Sequence, residues 1–257
     1  MAKVPPLPNF LIIGAQRCAT RWLRYNLDQH PDIYMPPFEM NFWDEFQNLK
    51  TLRVGGYRRQ FAGWNDEPFT GESSPVYLMW EHDPASTAEL IQLHLPDVKL
   101  IAMVRDPIHR LESAFLHYVK LGRIGPYETF TGLLVANDPR IKELQLLSAG
   151  IYAYSLEPYI DRFGEDLLVI FHDDLVADPE SVYLDALDHI GVTRLHVPKG
   201  VHRVMYSART TVRSEHPMFE GEGRANVWEW YRDDVRFLSE LTGRDLSHWG
   251  PDHPHEP

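Results

Sequence analysis

The chain has 257 residues, enough for one well-buried core and short of two full domains. It is 44% hydrophobic and 24% charged, an ordinary globular balance, and its net charge of −12 disfavours nucleic acid and polyanionic acceptors as partners. Cys18 is the only cysteine, which excludes an intrachain disulfide and a cysteine-based zinc site and suits a reducing, cytoplasmic setting.

Pro5, Pro6 and Pro8 break any signal-peptide pattern at the start. The apolar run at residues 10–13 ends at Gly14 and reads as a buried strand, far below the ~20 residues of a membrane span. Residues 20–28 follow, with Leu23 and Leu27 one turn apart, as a helix stopped by His30-Pro31. Residues 32–50 are irregular and carry Tyr34, Phe38, Phe42, Trp43 and Phe46. With Tyr57, Phe61 and Trp64 these aromatics are either an acceptor wall or core. Residues 69–71 and 76–78 flank Ser73-Ser74-Pro75, and 84–95 has a helical pattern.

Residues 98–104 form a second buried strand. Asp106 is placed to cap the next helix, with Pro107 in its first turn and Ile108, Leu111, Phe115 and Tyr118 on one face. Residues 144–163 hold one or two helices, 167–171 a third strand, and 179–190 a helix ending at Gly191. Residues 196–223 form a long polar loop with Lys199, Arg203, Arg209 and Arg213, and 225–241 a closing helix stopped at Gly243. Strands alternating with helices predict an α/β fold. The expected form is a single phosphate-loop domain over residues 1–257, its central parallel sheet flanked by helices and its ligands at the carboxyl ends of the strands.

Gly14, Ala15, Gln16, Arg17, Cys18, Ala19, Thr20 and Arg21 join the first strand to the first helix. Successive backbone N–H groups there can wrap an anion, with the helix dipole and the Thr20 hydroxyl in support. The loop departs from G-x-x-x-x-G-K-[ST]: Ala19 replaces the second glycine, Thr20 stands in place of the lysine, and the cation is Arg17. A kinase or ATPase needs that lysine, so a 5′-phosphate bearing a sulfate suits the loop better than a triphosphate. A plain strand–helix turn with a surface arginine is the alternative. Arg105 follows the second strand, and Ser113 lies seven residues after Asp106, nearly two turns on. The two can clasp a second phosphate, or Arg105 and Arg110 can pair with Asp106 or Glu112 on a helix face.

These segments resemble the 3′-phosphoadenosine-5′-phosphosulfate (PAPS)-dependent sulfotransferases. Residues 10–23 resemble the 5′-phosphosulfate loop, and R-D-P-x-x-R-x-x-S at residues 105–113, with His117-Tyr118 following, the 3′-phosphate motif. Gly71-Glu72-Ser73-Ser74-Pro75-Val76-Tyr77-Leu78, the stretch Trp230 to Val235 and Trp249 resemble the heparan-type carbohydrate branch. The resemblance runs from about residue 9 to 249. It implies PAPS as co-substrate, no metal in the transfer, and a small-molecule or carbohydrate acceptor. It puts Glu39 at the general base, where a carboxylate can take the proton that the attacking hydroxyl or amine loses. It makes the 196–223 loop a cover over the nucleotide, with Arg203 its leading contact.

Arg17 stands where lysine is most usual, and its guanidinium can stabilise charge at the breaking S–O bond. Phe38 and Asn41 replace common lysine and histidine and leave the acceptor class open. Arg21, in place of serine or threonine, either gains a phosphate contact or loses a hydroxyl contact. Ala19 matters if the turn needs a positive φ. Cys18, near Arg17 and Arg21 at a helix start, is either an alkylation-sensitive thiol or an inert packing residue. His248, His253 and His255 read as a solvated tail without metal-ligand spacing. A phosphate-loop kinase and a non-catalytic nucleotide-binding protein are the competing readings. The sequence carries no signal for oligomeric state.

Overall fold

The computed structural model describes residues 4–44, 48, 50, 53–194, 196–203 and 218–253. Arg209, Arg213, Phe46 and His255, named above, lie outside the described residues. Five strands form one sheet: β1 (Phe10–Gly14), β2 (Ile33–Tyr34), β3 (Phe69–Ser73), β4 (Lys99–Val104) and β5 (Leu167–Phe171). The helices in chain order are α1 (Thr20–Leu27), α2 (Arg53–Arg59), α3 (Pro84–His94), α4 (Pro107–Lys120), α5 (Phe130–Val135), α6 (Arg140–Glu143), α7 (Ala153–Phe163), α8 (His172–Ala177), α9 (Pro179–Ile190) and α10 (Gly223–Thr242).

The chain divides into two compact units, Met1–Val104 with Ser155–Arg203, and Arg105–Tyr154 with Val204–Pro257. The first holds the whole sheet. All its strand pairs are parallel, in the order β2-β3-β1-β4-β5. This is the expected α/β class with a central parallel sheet flanked by helices. A parallel strand inside such a sheet is covered on both faces, and every residue of β1 is buried. Strand order reverses beside β1, with β3 on one side and β4 on the other, so the carboxyl end of β1 is a topological switch point. The expected helix at 84–95 is α3, and that at 179–190 is α9, capped by Asp178 and ended by left-handed Gly191.

Residues 69–73 are one strand, and Pro75–Leu78 is a 3-10 turn. The 144–163 stretch, expected to hold one or two helices, holds the α-helix at 153–163, preceded by a 3-10 turn at Ser148–Gly150.

The second unit is built on α4 and α10. Asp106 caps α4, accepting from the N–H groups of Ile108 and His109 at 2.8 and 3.1 Å, with Pro107 in the first turn as expected. In α10, buried Tyr231 donates to the Leu147 carbonyl at 3.0 Å. Buried Asp234 accepts from the N–H groups of Tyr152 and Ala153 at 2.7 and 3.0 Å, which caps α7 from a distant part of the chain. Burial raises the Asp234 pKa to about 6, against the lowering effect of those N–H groups.

Candidate active site

β1 delivers Gly14 to the switch point. A Cβ there would lie 2.6 Å from the Leu78 Cβ and 3.1 Å from the Pro75 carbonyl, so only glycine lets the Pro75–Leu78 turn approach. Beyond it the Ala15 N–H donates to the Met103 carbonyl at 2.7 Å, tying the loop to the end of β4. Arg17 and Ala19 both have φ of 69°, and Ala19 is the N-cap of α1 without a side-chain cap. The turn therefore does need positive φ at residue 19, and alanine occupies a conformation that suits glycine. In such left-handed turns successive N–H groups converge on an anion-sized concavity. The N–H groups of Trp22 and Leu23 return to the Ala19 carbonyl, while those of Thr20 and Arg21 have no acceptor among the described residues. These donors, with half-buried Arg17 and buried Thr20, fit an oxyanion such as a 5′-phosphosulfate.

Cys18 is fully buried, and its thiol donates to the Gln16 carbonyl at 3.7 Å. The thiol packs inside the turn, in line with the packing residue of the two readings of Cys18. Arg21 is exposed.

Glu39 lies in the segment after β2. Its side chain reaches solvent, yet surrounding atoms strip enough water from the carboxyl to raise its pKa, against the opposing charges of Arg24 and Arg21. The same two arginines lie on α1, directly after the phosphate loop. Arg24 also donates to the Pro36 carbonyl at 2.6 Å. The Glu39 segment is held from the other side by the residues after β3. Ser74 Oγ accepts from the N–H groups of Met40 and Asn41, and Tyr77 Oη from those of Phe42 and Trp43.

The aromatic wall is largely core. Phe42, Trp43, Tyr57 and Phe61 are buried, with Tyr57 stacked on Phe42 at 4.7 Å and edge-on to Trp43 at 4.9 Å. Trp64 is half-buried and donates to the Glu67 carbonyl. Phe38, beside Glu39, is about half exposed.

In the second unit Arg105 and Ser113 are both half-buried. Arg110 is fully buried and donates to the Leu146 carbonyl, and Glu112 pairs with Arg224. Asp106 accepts from His253 Nδ1 at 2.9 Å and from the Gly250 N–H. His253, expected in a solvated tail, is thus packed on the cap of α4 and stacks on His109 at 4.7 Å. Asp106, His109 and His253 cluster as metal ligands do, but an Arg224 guanidinium nitrogen lies 3.3 Å from His109 Nε2 and opposes a cation there. Arg203 is exposed, its N–H bonded to the Gly200 carbonyl in a turn.

A buried parallel strand that feeds a left-handed turn and a helix start defines an α/β protein of the phosphate-loop class. No protein-family profile matches the chain. It is 31% identical to a sulfotransferase from Alicyclobacillus acidocaldarius of known crystal structure, over 95% of this chain and 99% of that one, with a TM-score of 0.77. It is 26% identical over 265 residues to heparan sulfate glucosamine 3-O-sulfotransferase 3A1 of Mus musculus, covering 93% of this chain and 64% of the relative. A sulfotransferase domain from the Synechococcus PCC 7002 olefin synthase shares the fold at 18% identity and a TM-score of 0.54, over 95% and 97% of the two chains. The chain belongs to the PAPS-dependent sulfotransferase superfamily. It spans about 64% of the length of the curated 3-O-sulfotransferase.

Proposed function

We propose that the chain is a sulfotransferase that moves a sulfuryl group from PAPS to a hydroxyl or amine of a small acceptor such as a sugar, glycolipid or phenolic scaffold. The observation that carries this reading is the juxtaposition in one unit of two elements. One is a left-handed anion loop whose Thr20 and Arg21 N–H groups have no acceptor among the described residues, and the other is a carboxyl of raised pKa facing the charges of the following helix.

The donor supplies an activated sulfur and a bisphosphate leaving group. Residues 14–21 hold its 5′ end through backbone N–H groups and the Thr20 hydroxyl. Arg17 stabilises the negative charge that develops between sulfur and the 5′-phosphate. Glu39 takes the proton of the attacking hydroxyl or amine as the new bond to sulfur forms and the S–O bond to phosphate breaks. Arg105 and Ser113 take the 3′-phosphate, and Arg203 is the leading contact from the 196–223 segment. No metal enters these steps. Residues 1–257 then act as one functional domain, in a cytoplasmic setting that the single cysteine supports.

Within the superfamily the G-E-S-S-P-V-Y-L segment and the closing helix favour the heparan-type carbohydrate branch. The net charge of −12 and half-exposed Phe38 favour a neutral acceptor over a polyanion.

Calorimetric titration with 3′-phosphoadenosine 5′-phosphate, against ATP with magnesium, tests the donor site. Micromolar binding of the bisphosphate, lost in Arg105→Ala and absent for ATP, is expected. Failure to bind the bisphosphate would overturn the reading, and binding of ATP in its place would favour a kinase.

A further inference from the structure

Behind the Glu39 segment lies a buried polar chain that no step above uses. Ser74 Oγ accepts two successive N–H groups, from Met40 at 3.2 Å and Asn41 at 3.0 Å. Tyr77 Oη takes the next two, from Phe42 at 2.9 Å and Trp43 at 3.4 Å. Four consecutive backbone donors, starting one residue after Glu39, are thus satisfied by two side-chain oxygens from one short segment. That segment is itself fixed to the phosphate-loop strand. The Ser74 N–H donates to the Ile12 carbonyl at 3.0 Å, and the Pro75–Leu78 turn packs against Gly14.

Tyr77 spends its own proton on Glu72 Oε1 at 2.8 Å. Its lone pairs are then left for the Phe42 and Trp43 N–H groups, so the bond to Glu72 sets the direction of the whole array. Glu72 and Tyr77 are both fully buried, as is Tyr57, whose hydroxyl faces the same carboxyl. Asp44, paired with His82 at 3.3 Å, adds a negative charge nearby. Burial pushes the Glu72 pKa up to about 8, so at neutral pH the acid is mostly protonated.

A loop that existed only to connect β2 to α2 would not need four of its N–H groups bonded from one side. A catalytic base does need that, because its carboxyl must sit within hydrogen-bond reach of the acceptor proton, and a displacement of ~1 Å is enough to cost ~100-fold in rate. We propose that Ser74 and Tyr77, with Glu72 behind Tyr77, are positioning residues that hold the Glu39 carboxyl in register with the phosphate loop. The inference rests on Glu39 being the base. A hydrogen-bonded path from the Ile12 carbonyl through Ser74 to the Met40 N–H ties the phosphate-loop strand to the Glu39 segment.

The test uses the full chain and needs no identified acceptor, because water can take the sulfuryl group. Sulfate release from PAPS is measured for Glu39→Gln, Ser74→Ala, Ser74→Thr, Tyr77→Phe and the Glu39→Gln/Tyr77→Phe double variant. Bisphosphate affinity and thermal midpoint are recorded for each. Ser74→Ala and Tyr77→Phe are expected to lower kcat by about tenfold with KM for PAPS and bisphosphate affinity unchanged. Ser74→Thr is expected to restore the rate, and Tyr77→Phe to add nothing once Glu39 is Gln. A wild-type rate for Glu39→Gln would sink the base assignment itself. A large loss for Glu39→Gln with wild-type rates for Ser74→Ala and Tyr77→Phe would overturn this proposal alone, as would losses that simply add in the double variant. Should Tyr77→Phe fail to fold, Ser74→Ala carries the test. Should release into water be too slow to read, amide hydrogen exchange at residues 40–43 decides. Faster exchange in Ser74→Ala and Tyr77→Phe is expected, and unchanged protection in both would overturn the proposal.

Discussion

At the scale of single residues, charge and backbone geometry make separate demands on the site. As the proposed base, Glu39 must be ionised to accept a proton, so sulfate release is expected to rise with pH through its pKa. Loss of water around the carboxyl raises that pKa from its ordinary value, so the acid limb of the pH–rate profile is expected on the higher-pH side of an ordinary glutamate's. Arg24 pulls the other way, so Arg24→Gln should move the limb to higher pH. A pH profile of the two proteins checks this, and a limb that moves down would contradict it. Ala19 shows the backbone demand. A left-handed non-glycine residue costs about 1–2 kcal/mol, and glycine gives back about 0.5–1 kcal/mol in lost unfolded-state restriction. Ala19→Gly is therefore expected to stabilise the protein by roughly 0.5–1 kcal/mol, read by denaturant unfolding, with bisphosphate affinity kept. The identity of residue 19 was plain in the sequence, but its φ was not. Only the turn geometry turned an ordinary alanine into a strained one.

At the scale of elements, legibility followed hydrophobic contrast. The apolar runs of β1, β4 and β5 stood out because strands buried on both faces carry little else. α4 announced itself with an Asp cap followed by proline, and α9 with the glycine that ends it. β3 did not stand out, because a central strand reading Phe-Thr-Gly-Glu-Ser breaks that rule. Its buried polar groups are answered by remote partners. Asn9 Oδ1 accepts from the Thr70 N–H at 2.8 Å, and Tyr77 answers Glu72. The capping of α7 by Asp234 was equally invisible, since its partners lie 82 residues away. Gly71 is the telling residue in β3. A Cβ on it would lie 2.2 Å from the Phe10 ring, so the phosphate-loop strand packs where only glycine leaves room. Gly71→Ala is expected to destabilise by about 1–3 kcal/mol through overpacking, measured by denaturant unfolding. A neutral result would mean that Phe10 repacks freely.

At the scale of the whole molecule, the strand order and the charge pull on function from opposite directions. The order β2-β3-β1-β4-β5 puts the phosphate loop at the switch point, where a parallel sheet gathers its helix start and backbone donors for an anion. Strand–helix alternation implied the parallel sheet and a ligand site at its strand ends, and the strand order came from the structure. The acceptor did not follow from the sequence, because most of the described aromatics that hinted at it went into the core, with Phe38 left about half exposed beside Glu39. Net charge then becomes the broadest guide. At −12 the protein repels a polyanion over about one Debye length, ~10 Å at 0.1 M salt, while a bisphosphate is small enough to be held by local N–H groups and arginines within that distance. The 26%-identical mouse relative is named for heparan sulfate, so the contrast can be tested directly. Heparin at ~0.1 M salt is expected neither to retain this protein on a column nor to displace bound 3′-phosphoadenosine 5′-phosphate in a competition titration. Retention, or displacement that weakens as salt is added, would show that a local basic surface outweighs the overall charge and would move the acceptor from a neutral small molecule to an anionic chain.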